Sequence, residues 1–289
     1  MRSALAVDRI PAAGEPRAAA TPHSHPLRKT TSMTDYVSIE RAGATAVVTI
    51  DNPPVNALHP DVADAIASAV STVDKDTDYR SMILTGKGRC FVAGGDIKYF
   101  TSIDRRGAAE MALRVQEMQE RIFSLRVPVI AALNGHALGG GLELLLSCDF
   151  TMASSAAKIG MTEVSLGLIP GAGGTQMLFT ALPAGTAKRL LFTGDRLTAE
   201  EAQRIGLIDS VHEPDQLLAA ALTVCERINK SGPLAVEAAK RSANYRLRHS
   251  LDEGHRREVE IFSALFDTED HREGITAFLE GRVPAYRRR

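Results

Sequence analysis

No apolar run in this chain approaches the roughly 20 residues a membrane-spanning helix needs, which excludes a helical span. An excess of one charge sign is also missing. Lys and Arg number 34 against 35 Asp and Glu, a net charge of -1, so no global field draws the protein to nucleic acid or an anionic membrane. A basic surface interleaved with aromatics is absent, which counts against an RNA-binding module. Cysteine is scarce: Cys90, Cys148 and Cys225 are odd in number and far apart. Such spacing argues against a disulfide framework or a zinc site, and the three read as reduced thiols of a cytoplasmic protein. There is no Walker-type lysine loop, no Gly-x-Gly-x-x-Gly opening a helix, no metal-ligand cluster, no nucleophile elbow and no repeat.

What is present is globular: 289 residues, 44% hydrophobic and 24% charged, enough for one large domain or two modest ones. Residues 1–33 are rich in Ala, Pro, Arg, Ser and Thr without a sustained period, and a disordered arm is expected there. An Arg-containing leader suits an organelle transit peptide, but Asp8, Glu15 and several prolines oppose that. A functionless extension ahead of Met33 is the reading taken.

The most informative stretch runs from Pro128 to Asp149. It opens as a buried strand, breaks at Asn134-Gly135, passes three consecutive glycines and enters a short helix at Leu142-Glu143-Leu144-Leu145-Leu146. Three glycines make sense where the backbone must approach something closely or expose its amides. Glu143 has no basic residue one helical turn away to neutralise it. A desolvated carboxylate beside free N–H groups at a helix start is half of an active site. The bland alternative is a packing turn, with Glu143 reaching solvent or a distant Arg.

The rest of the chain supplies a frame for that stretch. Alternation over 36–50 predicts two paired strands, and Pro60 opens a helix with Val62, Ile66, Ala69, Val70 and Val73 on its apolar side. Ser81–Thr85 and Asp149–Ala153 read as strands, and Gly206–Val211 as a last one. In Cys90–Lys98 small residues again precede an acid, Asp96, which reads as a cap or turn residue. The stripe Met111, Val115, Met118, Ile122 and Leu125 after Asp104 reads as core packing. Glu163 is a second carboxylate among small and apolar residues without a basic neighbour; alone it reads equally as a cap or surface residue. Paired with Glu143 in one cleft, the two would drive their pKa values apart, which suits proton transfer in both directions. Thr198–Glu201 and Ser250–Glu253 have capping-box spacing, and three or four helices are expected beyond Asp215.

Residues 129–143 (Val-Ile-Ala-Ala-Leu-Asn-Gly-His-Ala-Leu-Gly-Gly-Gly-Leu-Glu) resemble the signature of the enoyl-CoA hydratase/isomerase (crotonase) family. Ala93-Gly-Gly-Asp-Ile-Lys98 resembles its other amide-bearing loop, and Thr162–Gln176 the stretch with its second glutamate. The likeness covers about 34–284. It implies an α/β crotonase-like (ClpP/crotonase) spiral of ββα units over 34–212. Over 213–289 it implies a helical region that builds a homo-oligomer, a trimer or a dimer of trimers. It further implies an acyl-CoA substrate, no separate cofactor, no metal, no nucleic acid and no membrane partner. The resemblance places Glu143 and Glu163 as catalytic acids and the Gly95 and Gly140 amides as an oxyanion hole. Ala93, Asp96, Ile97 and Lys98 would bind CoA, and Phe278 would reach a neighbouring subunit's CoA. Both glutamates being present favours an enoyl-CoA hydratase of lipid or branched-chain acid catabolism. An enoyl-CoA isomerase, a thioester hydrolase, or an inactive scaffolding or RNA-binding relative are the competing readings. Three positions depart from the family pattern: Thr162 stands for a frequent Pro, Met177 for Arg, and Gly281 for a Lys whose place Arg282 would take. His136 reads as a packed turn histidine.

Overall fold

The structure, a computed structural model, describes residues 28–32 and 35–289. Its eleven strands are β1 (Arg28–Ser32), β2 (Val37–Ala42), β3 (Thr45–Ile50), β4 (Ser81–Gly86), β5 (Cys90–Val92), β6 (Val129–Leu133), β7 (His136–Leu138), β8 (Phe150–Ser154), β9 (Lys158–Gly160), β10 (Leu197–Thr198) and β11 (Ser210–His212). The helices up to the second sheet's last strand are α1 (Pro60–Lys75), α2 (Ile97–Phe100), α3 (Arg105–Ser124), α4 (Gly140–Leu145), α5 (Gly174–Ala181) and α6 (Ala184–Thr193). After β10 come α7 (Ala199–Arg204), α8 (Leu217–Asn229), α9 (Pro233–Arg246), α10 (Leu251–Ala264) and α11 (Glu269–Glu280).

Strands alternate between two sheets, and this alternation is the spiral. The larger sheet has the order β1-β2-β3-β4-β6-β8-β11 and the smaller β10-β9-β7-β5. Thus β4, β6 and β8 each lie in the large sheet, and the strand that follows each, β5, β7 or β9, crosses to the small one before a helix returns the chain. From β3 to β11 the large sheet is parallel. Buried on both faces, its strands β3, β4 and β6 are nearly unbroken apolar runs. The core between the sheets includes Ile50, Leu84, Phe91, Leu133, Leu142 and Ile159, with the apolar side of α1 closing one end.

Three expectations need correction. Within the supposed arm, residues 28–32 form β1, antiparallel to β2, and cover the edge of β2 that would otherwise leave its N–H and C=O groups unpaired. The remaining residues of 1–33 lie outside the described ones. Residues 206–209 turn instead of extending, with Gly206 at φ 82° and Leu207 N–H bonded to Ala202 O, so the last strand starts only at Ser210. The boundary placed at 212/213 is not where packing ends. Leu217, Ala221 and Cys225 of α8 cover Val47, Ile83 and Ile130 on the second face of the large sheet. Helix α9 is also fastened to the core: the buried Lys240 Nζ donates to Asp149 Oδ2 (2.7 Å) and Val127 O (3.0 Å). Beyond it, α10 and α11 leave Val259, Phe262, Ile275, Phe278 and Leu279 exposed. Both capping boxes form, at Thr198/Glu201 and Ser250/Glu253. Among the described residues no helix is long and apolar enough to cross a membrane.

Candidate active site

In the small sheet β5, β7 and β9 run parallel and side by side, so their C-terminal ends share one edge. Ligands in open α/β sheets gather outside such ends. Here the three ends deliver Gly95, Gly139-Gly140 and Glu163 to one place. Gly139, at φ 51°, turns the chain from β7 into α4 in a conformation that favours glycine. A Cβ built on Gly140 would stand 3.8 Å from the Gly95 nitrogen and 3.9 Å from Glu143 Oε2, so these groups surround one point. Among the described residues neither the Gly95 nor the Gly140 N–H has a protein acceptor. The Phe100 ring lies against Gly95, and a Cβ there would have to push the end of that ring aside.

Glu143 projects from the first turn of α4, between the buried Leu142 and Leu144, and is 3% exposed. Its Oε1 accepts two backbone hydrogen bonds, from Ala172 N–H (2.8 Å) and Gly174 N–H (2.8 Å). Burial raises its pKa, and these two amides, which favour the charged form, pull against that rise. Glu163 opens a 3-10 turn (Glu163–Leu166) and is half-buried. One of its oxygens, Oε2, is buried without a partner, and the other would lie 2.6 Å from a Cβ on Gly139. Burial pushes its pKa up to about 7, with a further rise from the Glu143 charge. No ion pair involves either carboxylate among the described residues, so the reading of Glu143 as the partner of a distant Arg is excluded.

Both carboxylates line one cavity of about 450 Å³, together with Ala93, Gly95, Ile97 and Gly140. Three other candidates lie elsewhere. Asp96 caps α2, accepting from Lys98 N–H and Tyr99 N–H, and Lys98 is exposed outside the cavity wall. Phe278 is 83% exposed on α11 and does not reach the cavity of its own chain. His136 is a packed residue whose Nδ1 accepts from Lys158 N–H (3.2 Å). The stripe on α3 is only partly core: Met111, with Ala108 and Ala112, forms a cavity wall facing Leu166, Leu168 and Ile169. Those wall residues carried no mark in the sequence, since apolar spacing on a helix looks alike whether it faces core or cavity. The amide clamp on Glu143 was missed as well; its only trace is the run Gly171-Ala-Gly-Gly174.

An arrangement of two desolvated acids, one holding its proton near neutrality, around two unbonded amides can move protons and stabilise a developing oxyanion. Independent likenesses point the same way. The family model for enoyl-CoA hydratase/isomerase matches residues 40–289. A crotonyl-CoA hydratase of Syntrophomonas wolfei is 41% identical over 250 residues, 86% of this chain and 96% of that protein. A short-chain-enoyl-CoA hydratase of Clostridium acetobutylicum is 39% identical over 85% of this chain and 95% of its own length. The crystal structure of an enoyl-CoA hydratase from Bacillus anthracis superposes with a TM-score of 0.85 at 33% identity, covering 88% of this chain and all of that one. Spiral, site and likeness therefore agree over nearly the whole described chain, and the chain belongs to the enoyl-CoA hydratase/isomerase family.

Proposed function

We propose that this chain is an enoyl-CoA hydratase, adding water reversibly and syn across the double bond of a trans-2-enoyl-CoA to give the 3-hydroxyacyl-CoA. The carrying observation is that Glu143 and Glu163 share one cavity with the unbonded amides of Gly95 and Gly140. In this reading the two amides receive the thioester oxygen and stabilise the enolate that forms as water attacks the β-carbon. Glu143 takes the proton of that water while the new C–O bond forms. Glu163 gives its proton to the α-carbon as the enolate collapses. The surroundings support these roles: two amides favour charge on Glu143, and a partnerless buried oxygen with a pKa near 7 favours the proton on Glu163. As written the reaction needs no cofactor besides the CoA already on the substrate.

Ile97 and Ala93 would flank the CoA arm, with Asp96 shaping the loop and Lys98 at its exposed end. The exposed apolar residues of α10 and α11 support assembly into a trimer or dimer of trimers, in which Phe278 would meet a neighbour's CoA. The three free thiols suit the reducing cytoplasm. Incubation with crotonyl-CoA tests the main reading: the conjugated enoyl absorbance should fall to an equilibrium level. No change with crotonyl or longer enoyl chains would sink it. Light scattering of the purified protein tests the assembly, where a monomer is the adverse outcome.

A further inference from the structure

The segment that holds Glu143 is itself held from behind. Gln116, on α3, donates from Nε2 to the Gly171 carbonyl oxygen at 2.9 Å. That carbonyl and the Ala172 N–H belong to one planar peptide unit. The same N–H donates to Glu143 Oε1 at 2.8 Å. Side-chain amide, peptide and carboxylate thus form one hydrogen-bonded chain, in which each bond polarises the next. Packing holds the Ala172 side of this peptide, which is buried, and leaves the Gly171 side free. Gly171 is exposed, and even a Cβ added to it would only come within 3.9 Å of Ala112 Cβ. With glycine at 171 the carbonyl side of this peptide has wide backbone freedom, so its hydrogen bond to Gln116 helps to set the peptide plane. A second polar side chain on α3 faces the same segment. Gln119 is buried, its Oε1 would lie 3.9 Å from a Cβ on Gly173, and its Nε2 has no partner among the described residues. A buried amide nitrogen left without a partner costs stability. Gln119 is thus a polar member of the buried face that also carries Val115, Met118 and Ile122, set against the same segment.

We propose that Gln116 is a positioning residue for Glu143: it fixes the Gly171–Ala172 peptide plane and, through it, the aim of the carboxylate. The inference rests on the reading of Glu143 as the base in the proposed hydration. Gln116 is exposed and does not itself line the cavity; it acts through the Gly171–Ala172 peptide, which lines the cavity and holds Glu143. The other titratable groups facing that cavity are Glu163 and, at the rim, Asp104 and Arg105.

The experiment compares Gln116→Ala, Gln116→Glu and Gln116→Lys with the unmodified protein and with Glu143→Gln, using crotonyl-CoA across a pH series. Losing the donor in Gln116→Ala should lower kcat about three- to tenfold, the worth of one such hydrogen bond. KM should stay within about twofold, because the Gln116 side chain itself does not line the cavity. The ascending limb of the kcat profile, where Glu143 loses its proton, should move to higher pH, since a less polarised Ala172 N–H stabilises the carboxylate less. Gln116→Glu keeps the shape without a donor and should be at least as impaired, whereas Gln116→Lys, which retains a donor, should recover most of kcat. Thermal unfolding of all three should stay close to that of the unmodified protein. If Glu143→Gln is inactive while Gln116→Ala keeps both kcat and the position of its limb, the positioning role is wrong and the hydratase reading stands. If Glu143→Gln retains activity, the role of Glu143 fails, and the inference with it.

Discussion

Glu143 stands on a buried helix with two amides on one oxygen, whereas Glu163 stands on a half-buried 3-10 turn with an oxygen that nothing donates to. Both border the same cavity, and both are carboxylates stripped of most of their water. The difference between them is made by the backbone. At Glu143 burial still raises the pKa, but N–H groups from 29 and 31 residues further along replace part of the lost solvent and oppose that rise. At Glu163 only its own backbone N–H offsets the burial, Oε2 is left without a donor, and the pKa rises to about 7. Two residues of one type in one cavity thus sit in different electrostatic surroundings, the arrangement the proposed division into base and acid requires.

The largest effect should come from removing either carboxylate. Glu143→Gln and Glu163→Gln should each lower kcat for hydration of crotonyl-CoA about 10²–10⁴-fold, the usual worth of a placed acid or base. The two variants should differ in their pH profiles. Glu163 must be protonated to serve as the acid, so activity should be present below its pKa of about 7 and fall as pH rises through it. The residual activity of Glu163→Gln should lack that falling limb, while that of Glu143→Gln should keep it. If only one substitution abolished turnover, a one-base scheme such as isomerisation would replace the two-residue one.

How much of this contrast the sequence disclosed follows from how local each cause is. Glu143 is legible in the sequence because its own helix turn offers no cation and the glycines around it expose amides. Caps and strands bounded by neighbours in sequence, such as Pro60 opening α1 or Ser250 with Glu253 opening α10, were legible for the same reason. What decides the protonation of Glu143 lies at Ala172 and Gly174, and no periodicity links residues so far apart. The strand β7 is three residues long and α4 begins two residues before the expected Leu142, because the glycine amides enter the helix instead of preceding it. The α3 wall was hidden differently. Met111 lies on the same helical stripe as Val115 and Met118, and only the tertiary path of residues 166–172 turns its end of that stripe toward solvent-accessible space.

A methyl group added beside each carboxylate sharpens the comparison at intermediate size. A Cβ on Gly174 would stand 2.6 Å from Met161 Cε, 2.9 Å from Pro170 Cβ and 3.1 Å from Glu143 Cγ. Gly174→Ala therefore overpacks a buried site, and a loss of roughly 1–3 kcal/mol in stability is expected. Since the Gly174 N–H is one of the two clamps, kcat should fall with it, and Glu143 should titrate at higher pH. On Gly139 the added atom would meet only the end of the Glu163 side chain, at 2.6 Å, in a residue held at φ 51°. That carboxylate can swing away, so the cost is the backbone strain of a sparsely populated conformation, about 1–3 kcal/mol, and the acid function should suffer. Denaturant unfolding with kcat profiles on both variants checks this. A Gly139→Ala variant that shifted the Glu143 limb and spared that of Glu163 would reverse the assignment.

The smallest effect concerns stability alone, and it separates the two acids without any substrate. Glu163 has a folded pKa of about 7 against an ordinary unfolded value near 4.5. Between those values the folded chain binds more proton than the unfolded one, so stability falls as pH rises through that window and levels off above it. Glu163→Gln removes the group and its slope. Relative to the unmodified protein it should gain nothing near pH 4.5 and about 2 kcal/mol by pH 8, a figure reduced for the partial solvation of the site. Glu143→Gln keeps an Oε1 that can accept from Ala172 and Gly174, so the clamp survives. Its gain should be smaller, because the clamp already compensates part of the burial of the charge. Urea unfolding at pH 5 and pH 8 measures both, and an equal gain in the two variants would mean that the amides do not distinguish the acids.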